Sequence, residues 1–339
     1  MKANQDTLNL VTPTQLKDEI KVNAKAGDVT MISGPPGIGK SQIVAQVGKE
    51  LGAEVFDLRA NLFDPVDVRG GLKLVEQPDG TYRTKYGIPE DYPDPNYEGT
   101  VILNLEELNT AVKATMNALL QLVLDRRIGA YHLPRNTIIV ATGNRIWDRA
   151  AVNEMPTSLK DRMAHYTLQP NIDDWTTWAI KNNIDESIIS FLRFAPQNLH
   201  NMDPYQDAFP TPRSWEKLNA KLPYMVNPFI TCAGSVGVGT AVEYLAHKEI
   251  YEDLPDLDKL IKSPHNAKTF DNTALNWAIT TGLVLKTTLT NLKQVIKYIK
   301  RMPEEYASYY FKIAIQHEPL IAQSEAFQKW AEEDSQKVM

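Results

Sequence analysis

Residues 34–41 read Gly34-Pro35-Pro36-Gly37-Ile38-Gly39-Lys40-Ser41, and this octet decides the fold. It fits the pattern G-x-x-x-x-G-K-[ST] in full. Its glycines let the backbone curl until several N–H groups point at one anion. Thr30-Met31-Ile32-Ser33 before it reads as a strand. Ser41 to Leu51 after it carries apolar residues at helical spacing, Ile43, Val44, Val47 and Leu51. A helix starting there adds its free N–H groups and dipole to the same field. Lys40 would reach the outer phosphates of a triphosphate, and the Ser41 hydroxyl would ligate Mg²⁺, a hard cation that prefers oxygen. The expected ligand is therefore ATP with Mg²⁺. An ordinary Gly/Pro turn is the bland alternative; a strand before the octet and a helix after it argue against that reading.

Outward from the octet, short apolar runs alternate with helical patterns. Glu54–Asp57, Val101–Leu105, Thr137–Ala141 and His165–Leu168 are further strand candidates, and Thr110–Val123 is a helix. Such alternation predicts a parallel sheet covered on both faces. Two interruptions read as hairpins: Gly70–Pro89, with Asp79-Gly80 at its turn and a plain loop as the alternative, and Arg126–Pro134 around Gly129. After Leu168 the character changes. Asp173–Asn182, Glu186–Phe194, Ser214–Leu222, Ala233–Glu249, Asn272–Leu285, Leu292–Arg301 and Ser324–Glu333 all look helical. The expected division is an α/β nucleotide-binding domain over 1–169, a helical lid over 170–250 and a helical extension over 251–339.

Four more places carry chemistry. Glu106-Glu107 ends the third strand. Beside a phosphate loop, Glu106 would hold the metal through its waters and Glu107 would polarise the attacking water; two solvated charges are the alternative. Asn144 ends the fourth strand and would orient water or touch the γ-phosphate, although Asn is also a common turn residue. Arg162, in Ser158-Leu159-Lys160-Asp161-Arg162, suits phosphate charge through its rigid fork, with Arg145 and Arg149 nearby as competitors. In Phe209-Pro210-Thr211-Pro212-Arg213-Ser214-Trp215, Thr211 reads as a helix N-cap and Pro212 as the first helical residue. Arg213 would then project from the first turn, either toward a γ-phosphate or to solvent.

Bulk properties narrow the classes. The chain has 339 residues, a net charge of −6 and a single cysteine, Cys232. The acidic balance argues against a broad nucleic-acid surface. One cysteine permits no internal disulfide and reads as a small buried apolar side chain in a reducing cytosol. The six histidines show no metal-ligand spacing. No run approaches the roughly 18 apolar residues that span a bilayer. The expected location is cytoplasmic.

Taken together, these residues resemble the MoxR-like group of AAA+ ATPases, in the clade with an insert in its second-helix region, over nearly the whole chain. Gly34–Ser41 looks like the Walker A box and Leu103–Asn109 is similar to Walker B; Asn144 matches sensor 1, Arg162 the arginine finger and Arg213 sensor 2. Glu107-Leu108-Asn109, Leu119-Leu120-Gln121 and Thr211-Pro212-Arg213-Ser214-Trp215 carry the resemblance to the subgroup. It implies a sheet in the order 5-1-4-3-2, a helical lid, a ring that is usually a homo-hexamer, and a chaperone-like action on a partner protein. In similar families that partner often carries a von Willebrand factor type A domain. One departure is Glu106, where the family normally has Asp; the extra methylene would reposition the carboxylate and slow hydrolysis. Asn104 is also unusual on a strand covered on both faces. Two rivals remain: a nucleotide-gated scaffold with weak hydrolysis, and a nucleic-acid-associated motor subunit. A small-molecule kinase would need neither the helical half nor an arginine from a second copy.

Overall fold

The computed structural model describes residues 9–145, 148 and 152–334. The chain divides into two compact units, Met1–Pro170 and Asn171–Met339.

The first unit opens with β1 (Leu10–Val11), α1 (Pro13–Ala26), β2 (Thr30–Ser33), α2 (Lys40–Leu51) and β3 (Glu54–Arg59). It continues through α3 (Pro65–Arg69), the strands β4 (Leu72–Glu76) and β5 (Tyr82–Tyr86), and β6 (Val101–Glu106). Then come α4 (Lys113–Asp125), β7 (Arg127–Ile128), β8 (Tyr131–His132), β9 (Thr137–Gly143), α5 (Thr157–Lys160) and β10 (Ala164–Leu168). The main sheet runs β1-β10-β2-β9-β6-β3, with every pairing parallel. Read in chain order, β2, β3, β6, β9 and β10 are the five expected strands, and they stand 5-1-4-3-2.

The sheet is buried on both faces, as its near-continuous apolar strands require. Ile32, Ile102 and Val140 pack against Ile43, Val44 and Val47 of α2 and against Leu16 and Ile20 of α1. Leu103, Leu105 and Ile139 face the other way, onto Met116, Leu119 and Leu122 of α4.

β1 and α1 are among the elements that were not anticipated. β1 adds an edge beyond β10 through Leu10↔Thr167 and Val11↔Leu168; two residues are too few to show a period. α1 starts with Thr12 in a reciprocal capping box with Gln15, has Pro13 in its first turn, and ends on a left-handed Gly27. α4 starts at Lys113 rather than Thr110, because a 3₁₀ turn over Leu108–Thr110 is followed by extended backbone at Ala111 and Val112. Both expected hairpins form: β4 pairs antiparallel with β5, and β7 with β8.

The second unit contains α6 (Ile172–Lys181), α7 (Glu186–Phe194), α8 (Pro212–Lys221), α9 (Pro228–Val236) and α10 (Val238–Glu252). It ends with α11 (Leu257–Lys262), α12 (Thr273–Lys286), α13 (Leu292–Ile299), α14 (Glu304–His317) and α15 (Glu325–Asp334); among the described residues it has no strand. The single helix expected over Ala233–Glu249 is two, α9 and α10. Gly237 between them has φ 86° and ψ 157°, far from helical backbone.

Two clusters fill this unit. One gathers Trp175, Phe191, Trp215, Cys232 and Tyr244; the other gathers Leu283, Ile299, Tyr310, Phe311 and Ile313. Trp215 is fully buried and its Nε1–H donates to Asn198 O at 2.8 Å. Burial pushes the Cys232 thiol pKa up, as suits an inert apolar role. Among the described residues no helix is long and apolar enough to cross a membrane, and no three His, Cys, Asp or Glu side chains gather as a metal cluster.

Candidate functional site

β2 and β9 end side by side, with Ser33 opposite Gly143. The loop leaving β2 therefore runs beside the segment leaving β9. Gly37 and Gly39 take φ values of 76° and 99°, which L side chains rarely adopt. Ile38, 5% exposed, anchors the loop in the cluster with Ile43 and Leu168. α2 opens at Gly39, which has no side chain to cap the first-turn N–H groups. Lys40 Nζ donates to Gly34 O (2.8 Å), Pro35 O (3.1 Å) and Asn144 Oδ1 (3.0 Å). An ammonium is thus fixed across the mouth of a backbone cradle. Ser41, in the first turn of α2, is half-buried.

The two glutamates leave the neighbouring strand in different ways. In β6 the run Val101–Leu105 is buried and only Glu106 emerges. Glu106 pairs with Arg59, its register partner at the end of β3, with Nε to Oε2 at 3.5 Å. Glu107 sits in left-handed backbone, φ 52°, which turns the chain away from the sheet. Its N–H donates to Thr142 Oγ1 at 3.3 Å, and its Oε2 accepts from Asn61 Nδ2 at 2.9 Å. Asn104 is accounted for: Nδ2 donates to Asp57 Oδ1 at 2.8 Å across the same strand pair. Its Oδ1 is buried with no hydrogen-bond partner among the described residues.

Asn109 links the two strand ends. Its Nδ2 donates to Asn144 O at 2.7 Å and its Oδ1 accepts from Asn144 N at 3.1 Å. The approach is close enough that a Cβ on Gly143 would lie 2.4 Å from Asn109 Oδ1. The backbone that carries Asn144 is thereby clamped to the turn that carries Glu107.

The arginines stand apart from these bonds. Arg162, half-buried just past α5, donates from Nη1 to Ser158 O at 2.5 Å. Arg145 is engaged by Asp148, through Nε at 2.9 Å and Nη2 at 2.7 Å. Arg149 lies outside the described residues. Arg213 is exposed on the first turn of α8, in the second unit. Thr211 caps that helix in a reciprocal box with Ser214, and Pro212 opens it.

The structure therefore gathers the loop 34–41, Glu106, Glu107 and Asn144 in the first unit. Sequence reasoning assigned no role to Arg59, Asn61 or Asn109. The signal for the first two is position: Arg59 ends β3 and Asn61 follows it, and strands that end together in a parallel sheet bring their last residues together. Asn109 was legible as part of Glu107-Leu108-Asn109, but not as a clamp.

A magnesium nucleotide fits these residues. The cradle offers backbone N–H groups and an ammonium, while Ser41 and Glu106 offer the hard oxygens. Mg²⁺ usually takes only one or two protein ligands and completes its shell with water and phosphate.

A five-strand parallel core in this order, with a P-loop at the end of its first strand and a polar residue at the end of its fourth, is the arrangement of the AAA+ P-loop fold. Residues 2–163 match the family model described as the MoxR domain in the MoxR-vWA-beta-propeller ternary systems. Over those residues the first unit is similar to the MoxR domains of AAA+ proteins. No curated protein matches the sequence. Among solved structures, NtrX from Brucella abortus is 14% identical, covering 93% of this chain and 69% of that one, with a TM-score of 0.40. A variant of RuvB from Thermotoga maritima is 13% identical, covering 85% of each chain, with a TM-score of 0.39.

Proposed function

We propose that the chain holds Mg·ATP in the loop 34–41, hydrolyses it, and assembles into a ring, a homo-hexamer, that remodels a partner protein. The observation that carries this reading is the triple anchoring of Lys40 to Gly34 O, Pro35 O and Asn144 Oδ1. A γ-phosphate entering the cradle would compete for the ammonium and loosen Asn144, so the strand end would respond to nucleotide state. Glu107 would activate water once it leaves Asn61, and Ser41 and Glu106 would hold the metal. When bound, the metal neutralises charge developing on the phosphates. Arg162 of an adjacent copy would complete the site, and Arg213 would report the γ-phosphate to the second unit.

The partner class follows from the family description, which places a MoxR domain in systems with a vWA and a β-propeller component. A protein with a von Willebrand factor type A domain is therefore the first partner to test. A cytoplasmic location and slow turnover, from Glu106 in place of Asp, complete the proposal.

The test combines turnover with mass. Under saturating Mg·ATP the reading expects a ring, and expects Arg162→Ala to keep nucleotide binding while losing about 10³-fold or more in turnover, the scale of a lost arginine finger. A monomer whose turnover ignores Arg162→Ala would refute shared sites. The scaffold reading draws on the Arg59–Glu106 pair, which occupies the carboxylate meant for the metal. A large rise in turnover on Glu106→Asp would favour it.

A further inference from the structure

Val55, Asp57 and Arg59 of β3 stand in register with Ile102, Asn104 and Glu106 of β6. Register partners in a parallel pair share a face, and side chains alternate along each strand. The face is identified by its first rung: a Cβ on Gly48 of α2 would meet Val55 Cγ2 at 2.4 Å and Ile102 Cδ1 at 3.7 Å. The two polar rungs, Asp57–Asn104 and Arg59–Glu106, therefore lie on the α2 side of the sheet, the side that carries the phosphate loop. The orphaned Oδ1 of Asn104 leaves an unused acceptor in the same ladder.

The upper rung is built to be given up. Glu106 is 13% exposed at its side chain, whereas Arg59 is 68% exposed and the contact is a loose 3.5 Å. A pair so open to solvent is weak and salt-screened. The extra methylene of Glu lets the carboxylate reach across to the next strand, where an Asp would fall short. We propose that Arg59 is a positioning residue that competes with magnesium for Glu106, so that this ion pair sets the metal concentration at which the protein retains nucleotide. The inference rests on the Mg·ATP reading of the loop. The carboxylate leans to Arg59 in this structure; a bound metal would draw it away and leave Arg59 to solvent.

The experiment titrates Mg²⁺ against binding of a fluorescent ATP analogue to the full chain, with parallel titrations in chelator. Arg59→Gln should lower the half-saturating Mg²⁺ by about two- to fivefold, the span of an exposed ion pair, and leave metal-free binding unchanged. Arg59→Lys should fall between Arg59→Gln and the parent. In the Glu106→Asp background the effect of Arg59→Gln should largely vanish, since the shorter carboxylate no longer reaches the guanidinium. An unchanged midpoint in Arg59→Gln would overturn the proposal, as would an equal fall in both backgrounds. Weaker metal-free binding would assign Arg59 to the phosphates instead and equally overturn it. Absence of nucleotide binding at any Mg²⁺ concentration in the parent chain would sink the loop reading, a result distinct from the others. Melting temperatures without nucleotide would confirm that each variant is folded.

Discussion

Asn109 makes two hydrogen bonds to the backbone of Asn144, at 2.7 and 3.1 Å, and is 6% exposed. Removing a buried amide that satisfies two backbone groups leaves both unpaired, which costs about 1–3 kcal/mol. Asn109→Ala should lower the free energy of unfolding by that amount and reduce turnover more than nucleotide affinity, because it frees the Asn144 segment without removing a cradle residue. Equal losses in affinity and turnover would argue against a clamp. His247 offers an independent residue-scale test in the second unit. It is 2% exposed, with Nε2 2.8 Å from Ser190 Oγ and a ring stacked on Phe194. Burial pulls its pKa from 6.5 down to about 4. The unfolded chain therefore takes up this proton first as pH falls. The stability held by neutral His247 is complete above pH 6.5 and is lost progressively toward pH 4, about 3 kcal/mol in all. Stability curves across that window should flatten in His247→Phe; an unchanged slope would place the pH dependence elsewhere.

At the scale of elements, legibility followed length and chemistry. β2, β6 and β9 were read correctly because buried parallel strands are continuous apolar runs. The hairpin β4–β5 was read from Asp79-Gly80, whose Gly80 indeed takes positive φ at 78°. α14 was missed although Tyr306, Tyr309, Tyr310 and Ile313 fall on one face; tyrosines do not register as apolar when a period is counted, yet here they form the core. α9 and α10 were fused because Gly237 lies within an otherwise helical run. Its backbone, φ 86° and ψ 157°, belongs to a region that is essentially glycine's own, and a Cβ there would lie 2.7 Å from Ala208 O. Gly237→Ala should cost about 1–3 kcal/mol in thermal or chemical unfolding of the chain. A neutral result would mean the break tolerates an ordinary backbone.

For the molecule as a whole, the order of the five core strands in the first unit was read from sequence, since the phosphate loop implies the kind of sheet that presents it. The parts that could not be read are relations between strands. Glu106 was assigned to metal from its place on β6, but its bond to Arg59 depends on β3 lying alongside in that register. Glu107 was assigned to water, but its bond to Asn61 depends on the same adjacency. A linear motif records what each residue can do, and pairing decides what it touches first. Arg213 and Arg162 belong to a larger scale again, because their proposed roles need a neighbouring unit or a second copy.

The claim beneath all of this is that Lys40 and its loop hold a magnesium triphosphate. Equilibrium binding of ATP with Mg²⁺ to the purified chain, beside Lys40→Ala, measures it directly. We expect saturable one-site retention by the parent and a loss of about 100-fold or more in Lys40→Ala, as befits removal of a charge-assisted contact to phosphate. Equal affinity in the two proteins, or no retention by either, would contradict the account.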